Sequence, residues 1–144
     1  MGKLNYKVVA SGRELKDAFE VRRRVFVEEQ GISESLVFDG HDGEALHMVV
    51  KDRQRVIGTA RVLFLIANQV KLERMAILKP FRRRGIGRRI LFFLDTELRN
   101  KQVQQVVLHA QSGVVAFYKS CGFAELGLPF WEAGIKHIKM QKLL

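Results

Sequence analysis

Arg82-Arg83-Arg84-Gly85-Ile86-Gly87-Arg88-Arg89 lies where a short apolar strand pattern, Leu72 to Leu78, gives way to a helical one, Ile86 to Leu98. Two glycines at that junction let the backbone turn tightly and bring its amides close to a ligand. The first amides of a helix lack internal partners and carry the positive end of its dipole. Arginines on both sides add full charges. Strand, glycine turn and helix start together describe a cradle for a pyrophosphate.

The charge around the cradle agrees. Between Lys71 and Lys101 ten basic residues face three acids, in a chain of net charge +10. Such a concentration suits an anionic partner, either a phosphorylated cofactor or nucleic acid. The chain has 144 residues, 47% of them hydrophobic, which suits one domain over 1–144 with a real core. Neither repeats nor low-complexity segments are visible, against solenoid and disordered readings. Met1 to Tyr6 shows no apolar signal core, and no apolar run reaches membrane-spanning length. Cys121 stands alone and cannot pair within the chain. These features lead us to expect a cytoplasmic protein.

Outward from the cradle, the order of elements can be read. Lys7 to Ala10 is a short strand pattern, and Ser11-Gly12-Arg13-Glu14 matches a capping box. Leu15, Ala18, Phe19, Arg22 and Phe26 then share one helical face, apolar except for Arg22. Gly31 to Glu44 reads as a loop or broken helix. Leu46 to Lys51 and Val56 to Leu65 form a hairpin across Asp52–Arg55, with Gly58 marking a bulge. Val70 to Leu78 leads into the cradle, and the helix behind it ends near Asn100. Val106 to Leu108 is a buried-type strand. A short helix, Val114 to Cys121, stops at Gly122, and Phe123 to Leu128 and Ile135 to Gln141 close the chain. The order β-α-α-β-β-β-α-β-α-β-β predicts a mixed α/β (α+β) fold, a mixed sheet with helices packed on it.

Three phosphate-binding patterns compete for the glycine turn. A Walker loop ends in Gly-Lys-Ser/Thr, which Gly87-Arg88-Arg89 does not supply. A dinucleotide fingerprint needs a third glycine where Ile90 stands, and an acid where Gln105 lies. Arg82-x-x-Gly85-x-Gly87 resembles the Arg/Gln-x-x-Gly-x-Gly/Ala motif of the GCN5-related N-acetyltransferase (GNAT) family. Leu72 to Ile77 and Pro80-Phe81-Arg82 resemble that family's preceding strand and turn, and Ala116 to Phe123 its second signature. Val25 to Gln30, Leu108 to Gln111 and Ala133-Gly134-Ile135-Lys136-His137 are similar to a bacterial subgroup typified by ElaA and YjcF, where proline is usual at the place of Lys136. One Gly-x-Gly is weak; ordered segments along the whole chain are specific.

The resemblance implies a GNAT fold, with a mostly antiparallel twisted sheet flanked by helices, and direct acetyl transfer from acetyl-CoA to a primary amine. It implies that Arg82, Arg83, Arg84, Gly85, Ile86, Gly87 and Arg88 hold the cofactor's phosphates. Met75, Ala76 and Ile77 would use backbone amides on a strand splayed from its neighbour, with Gln111, Phe117 and Tyr118 also against the cofactor. Tyr118 occupies the place of the family's frequent general acid for the departing thiolate; otherwise it is a packed aromatic beside Phe117. Glu73 is the candidate base, since alternation puts it on one face with Met75; the competing reading is a structural ion pair with Arg61 or another strand arginine. His47 is a rival base whose ordinary pKa suits the task, though a lone histidine is more often structural. Cys121 reads as a buried structural thiol, and the histidines and cysteine show no metal-ligand spacing.

Acceptor choice is expected to rest on Phe26 to His47 and on Phe130 to His137. Phe26, Glu29, Gln30, His47 and Trp131 are the candidate substrate contacts, with Glu28, Asp39 and Asp42 able to meet an ammonium. Loop carboxylates are more often simply solvated. A small amine, a phosphorylated aminosugar first, is favoured by the basic chain and by the resemblance. Neither nucleic acid nor membrane is expected as partner, and a homodimer is allowed. Two other readings remain open here: an acyl-CoA sensor without catalysis, and a nucleic-acid-binding domain whose affinity collapses with salt.

Overall fold

A computed structural model describes residues 3–144; Met1 and Gly2, part of the leader reading above, lie outside the described residues. Seven strands form one sheet in the order β1-β2-β3-β4-β5-β7-β6. They span Leu4–Val8 (β1), Leu46–Asp52 (β2), Arg55–Phe64 (β3), Gln69–Ile77 (β4), Gln105–Gln111 (β5), Ala124–Glu132 (β6) and Ile135–Leu143 (β7). Every neighbouring pair is antiparallel except β4 and β5. The helices are Gly12–Arg22 (α1), Glu34–Val37 (α2), Ile86–Asn100 (α3) and Val115–Ser120 (α4). α1 covers β2 to β4 on one face, while α3 packs on β4 and α4 on β5 and β6. The order matches the sequence expectation. The fold is the mixed α/β arrangement of a mostly antiparallel sheet.

α3 forms because Ile86, Ile90, Leu91, Leu94 and Leu98 recur at helical spacing, and all five are buried. Each contributes roughly 1.5–3 kcal/mol when taken from water, as an upper bound. Lys142 on β7 bonds Asp95 at 2.6 Å and ties this helix to the strand beyond β5.

Several expectations shift. The first strand runs from Leu4 to Val8, not Lys7 to Ala10, because Ala10 turns its amide to the Glu14 carboxylate at 2.8 Å. Ser11 does cap α1, accepting from the Glu14 amide at 3.2 Å, so the box closes on Ala10 instead of on Ser11 itself. Beyond Arg22 the helix widens to π geometry over Arg23–Glu29. On β4 the alternation linking Glu73 to Met75 is broken. Arg61 pairs with Glu73 and Thr59 with Ala76, so an extra residue is inserted between them. Arg74 takes φ +55 there, and its guanidinium bonds the carbonyls of Val37 and Leu36 at 3.1 and 3.0 Å. Glu73 therefore shares its face with Ala76, not with Met75.

Candidate active site

β4 and β5 pair only at Gln69, Val70 and Lys71 with Gln105, Val106 and Val107. Beyond those residues the strands diverge, leaving the edge of β4 from Leu72 to Ile77 without a strand partner on that side. A cleft of about 1090 Å³ occupies the gap. Met75, Ala76 and Ile77 line one arm, and Leu108, His109, Ala110 and Gln111 the other. The cleft joins the face under α3 and α4 to the face under α1 and α2.

At the α3 end stand Arg82, Arg83, Gly85, Ile86, Gly87 and Arg88, with Phe117 and Tyr118 beside them. Gly85 caps α3 at φ +78, and a Cβ there would project into open space, with no atom within 4 Å. No side chain caps the helix, so its first amides are turned outward unclaimed. Gly87 has a different reason to be glycine. Its Cβ would lie 3.1 Å from Cζ of Phe117, so the turn and α4 pack directly together. Arg82 donates to the Ile77 carbonyl at 2.8 Å and, with both Nη atoms, to the Glu29 carboxylate. Arg88 donates to Ser120 Oγ at 2.9 Å. Arg84 stacks over Phe81 at 6.0 Å and is not part of the cleft wall. An anion with phosphate charges fits this end: open glycine, uncapped amides and surrounding cations.

Tyr118 is 8% exposed, edge-on to Phe117 and Phe123. Burial pushes its phenol pKa up, reinforced by Cys121, so it is a neutral donor. Cys121 is half-buried, not buried, because it caps α4 just past its last residue, Ser120, and leads into the Gly122 turn.

At the other end Glu73 lines the cleft but is not free. Arg61 donates to its Oε1 at 2.6 Å, and Lys71 pairs with Oε2 at 3.1 Å. Burial would raise its pKa, but these cations outweigh it and the carboxyl sits below its ordinary value. Arg61 itself is fully buried and also bonds Asp39 at 2.9 and 3.0 Å and Asp42 at 3.1 Å. The two loop acids thus pair with arginines, Asp42 half-buried and Asp39 still exposed on the cleft wall. Buried Arg22 completes the network through Asp42, Thr59 and His47. Burial, against the pull of Asp42, lowers its pKa to about 10.

The structure does not bring His47 to the cleft. Its Nε2 donates to the Asp42 carbonyl at 2.8 Å, so Nδ1 is the acceptor for Arg22 at 2.9 Å. Both nitrogens are spent, and burial lowers its pKa further. Trp131 is 73% exposed and points away, because Phe130, its neighbour on edge strand β6, takes the inward side opposite His137. Phe26 and Gln30 do line the cleft, and Gln30 accepts from Gln111 at 2.9 Å across it. Glu29 reaches it only through Arg82. Sequence reasoning missed a second cluster on the β5 side. His109 Nδ1 is 3.1 Å from Glu132 Oε1, and His137 Nε2 is 3.8 Å from Glu132 Oε2, with all three residues on the cleft wall. The period of two in β5 and β7 was the available signal, since His109 and His137 fall in register on the Gln111 side. No group among the described residues has three or more side chains placed to hold a metal. No described helix is long and apolar enough to cross a membrane.

Comparison with known proteins sets this geometry in context. The profile of the acetyltransferase (GNAT) domain matches residues 13–144. The chain is 36% identical over 137 residues to YjcF of Bacillus subtilis, described as an uncharacterised N-acetyltransferase, covering 94% of this chain and 97% of that one. Among solved structures, one from Lactobacillus plantarum assigned to the N-acetyltransferases superposes with a TM-score of 0.93 at 26% identity, covering 99% of both chains. Escherichia coli ElaA superposes at 0.87 with 23% identity, over 97% of this chain and 99% of its own. A GNAT acetyltransferase from Elizabethkingia anophelis, solved with acetyl-CoA bound, shares the fold at 0.78 with 16% identity, over 98% of both chains.

Proposed function

The chain belongs to the GNAT acetyltransferase family and is an acyltransferase, and from that premise we propose that it moves an acetyl group from acetyl-CoA directly to a small-molecule primary amine. The whole of 1–144 acts as one catalytic unit in this reading. The parting of β4 from β5 is the observation that carries it. Edge amides of Met75 to Ile77 meet the thioester end, and the α3 amides with Arg83 and Arg88 meet the pyrophosphate. Gly85 keeps that approach open. Tyr118 donates a hydrogen bond to the sulfur as negative charge develops on it. Its raised pKa favours hydrogen-bond donation over full transfer, because a phenol is a weaker acid than a thiol even at ordinary values.

The acceptor end supports a small molecule. Leu36, Val37 and Asp39 from the α2 region, and Glu132 and Ala133 from the β6–β7 turn, wall it on opposite sides. Such walls suit a compact amine more than a protein tail. Thiol release from acetyl-CoA tests the reading against glucosamine 6-phosphate, spermidine, kanamycin and a lysine peptide. Turnover on a small amine exceeding that on the peptide is expected. Acetyl-CoA binding with no turnover on any of them would count against the transferase role of this cleft.

A further inference from the structure

The geometry points to His109, oriented by Glu132, as the general base that accepts the proton of the acceptor amine. The assignment rests on the acetyl-transfer reading above and adds its missing group. A base must lie in the cleft, on the acceptor side of the sheet, with a nitrogen or oxygen lone pair unclaimed. Glu73 meets the first two requirements, but Arg61 on one oxygen and Lys71 on the other quench the basicity of the lone pairs left over. His47 fails by position.

His109 meets all three. It lines the splayed arm of β5, and register puts it on the same face as Glu73 across the gap. A carboxylate oxygen can only accept, so the 3.1 Å contact to Glu132 fixes the hydrogen on Nδ1. Nε2 is left with its lone pair and, among the described residues, makes no hydrogen bond. Its side chain is one-quarter exposed, enough for a substrate to reach. Phe130 packs edge-on against the ring at 4.9 Å and limits its rotation. His137 holds the ring that packs on His109: it donates from Nδ1 to the Ile135 carbonyl at 2.7 Å and stacks on Phe130. A carboxylate holding an imidazole in one tautomer is the orientation a proton acceptor needs.

The proton balance is simple. The acceptor ammonium gives one proton to Nε2 of His109, which passes it to solvent. The amine lone pair then forms the N–C bond at the acetyl carbonyl, and the C–S bond breaks with its pair on sulfur. The second amine proton ends on that sulfur.

The test measures kcat/KM on the best amine of the four named above, with acetyl-CoA affinity from calorimetry. His109→Ala and His109→Gln should each lose about 100-fold in turnover while acetyl-CoA affinity stays within about threefold. Glu132→Gln should lose less. Added imidazole should restore turnover to His109→Ala in a saturable way, which a merely structural role would not allow. Hydroxylamine, unprotonated near neutrality, should be acetylated by His109→Gln at close to the wild-type rate. Wild-type-like turnover in both His109 variants, or a loss that imidazole does not relieve, overturns the base. If the wild type binds acetyl-CoA and acetylates neither the amines nor hydroxylamine, the transfer reading itself fails and takes the base with it.

Discussion

Tyr118 and Gly87 show how closely chemistry and packing are joined at single residues. Tyr118 sits edge-on between Phe117 and Phe123, so removing its hydroxyl leaves the packing intact. Tyr118→Phe should lower kcat by about 10- to 100-fold with acetyl-CoA affinity nearly unchanged, read by steady-state kinetics and calorimetry. Gly87→Ala places a methyl 3.1 Å from Cζ of Phe117, so that ring must give by a few tenths of an ångström. A destabilisation of about 1–3 kcal/mol in urea unfolding is expected. Both positions could be singled out from the sequence, but for Gly87 the reason differs. Ligand approach explains Gly85; contact with Phe117 explains Gly87. The Glu73–Arg61 pair was legible as an alternative, since opposed strand charges commonly pair. The pairing of Asp39 and Asp42 with arginines was not, because it depends on where a loop of irregular backbone comes to rest.

At the level of elements, the end of the first helix spans the open strands. Glu29 holds Arg82 just after β4, and Gln30 holds Gln111 at the end of β5. Arg82 is thus shared between a carboxylate and any phosphate that enters. Glu29→Gln should weaken that competition and tighten acetyl-CoA binding about threefold at low salt, with little change in stability, as the pair is partly exposed. Unchanged or weaker binding would assign Arg82 a purely structural role. The strand, turn and helix around the cradle were legible because local pattern and tertiary role agree there. Two features were not. The bulge at Arg74 is held by carbonyls of the α2 region, and the π widening after Arg22 accompanies burial of that arginine against β2 and β3. Neither cause lies within its own element.

Across the whole molecule, buried charge makes stability sensitive to acid. His47 is held neutral below its ordinary pKa of 6.5, so unfolding takes up a proton and stability falls as pH drops below that value. Glu14, bonded first by Lys7 and then by the Ala10 amide, has its carboxyl lowered from 4.5 to about 2. Its contribution is present above 4.5 and is lost as pH falls toward about 2. Asp39, held by Arg61, and Glu73 shift in the same direction. Thermal melts should therefore show a shallow decline in Tm starting near pH 6.5 and a steep one below about 4.5. A Tm flat from pH 7 to 4 would contradict the buried network. The central claim, that the gap between β4 and β5 receives acetyl-CoA against the Gly85 turn, is tested most directly by calorimetric titration of the wild type and Gly85→Glu with acetyl-CoA. Saturable one-to-one binding to the wild type, abolished in a variant whose circular dichroism is unchanged, is the predicted result. Absence of binding to the wild type, or equal binding to both proteins, would contradict it.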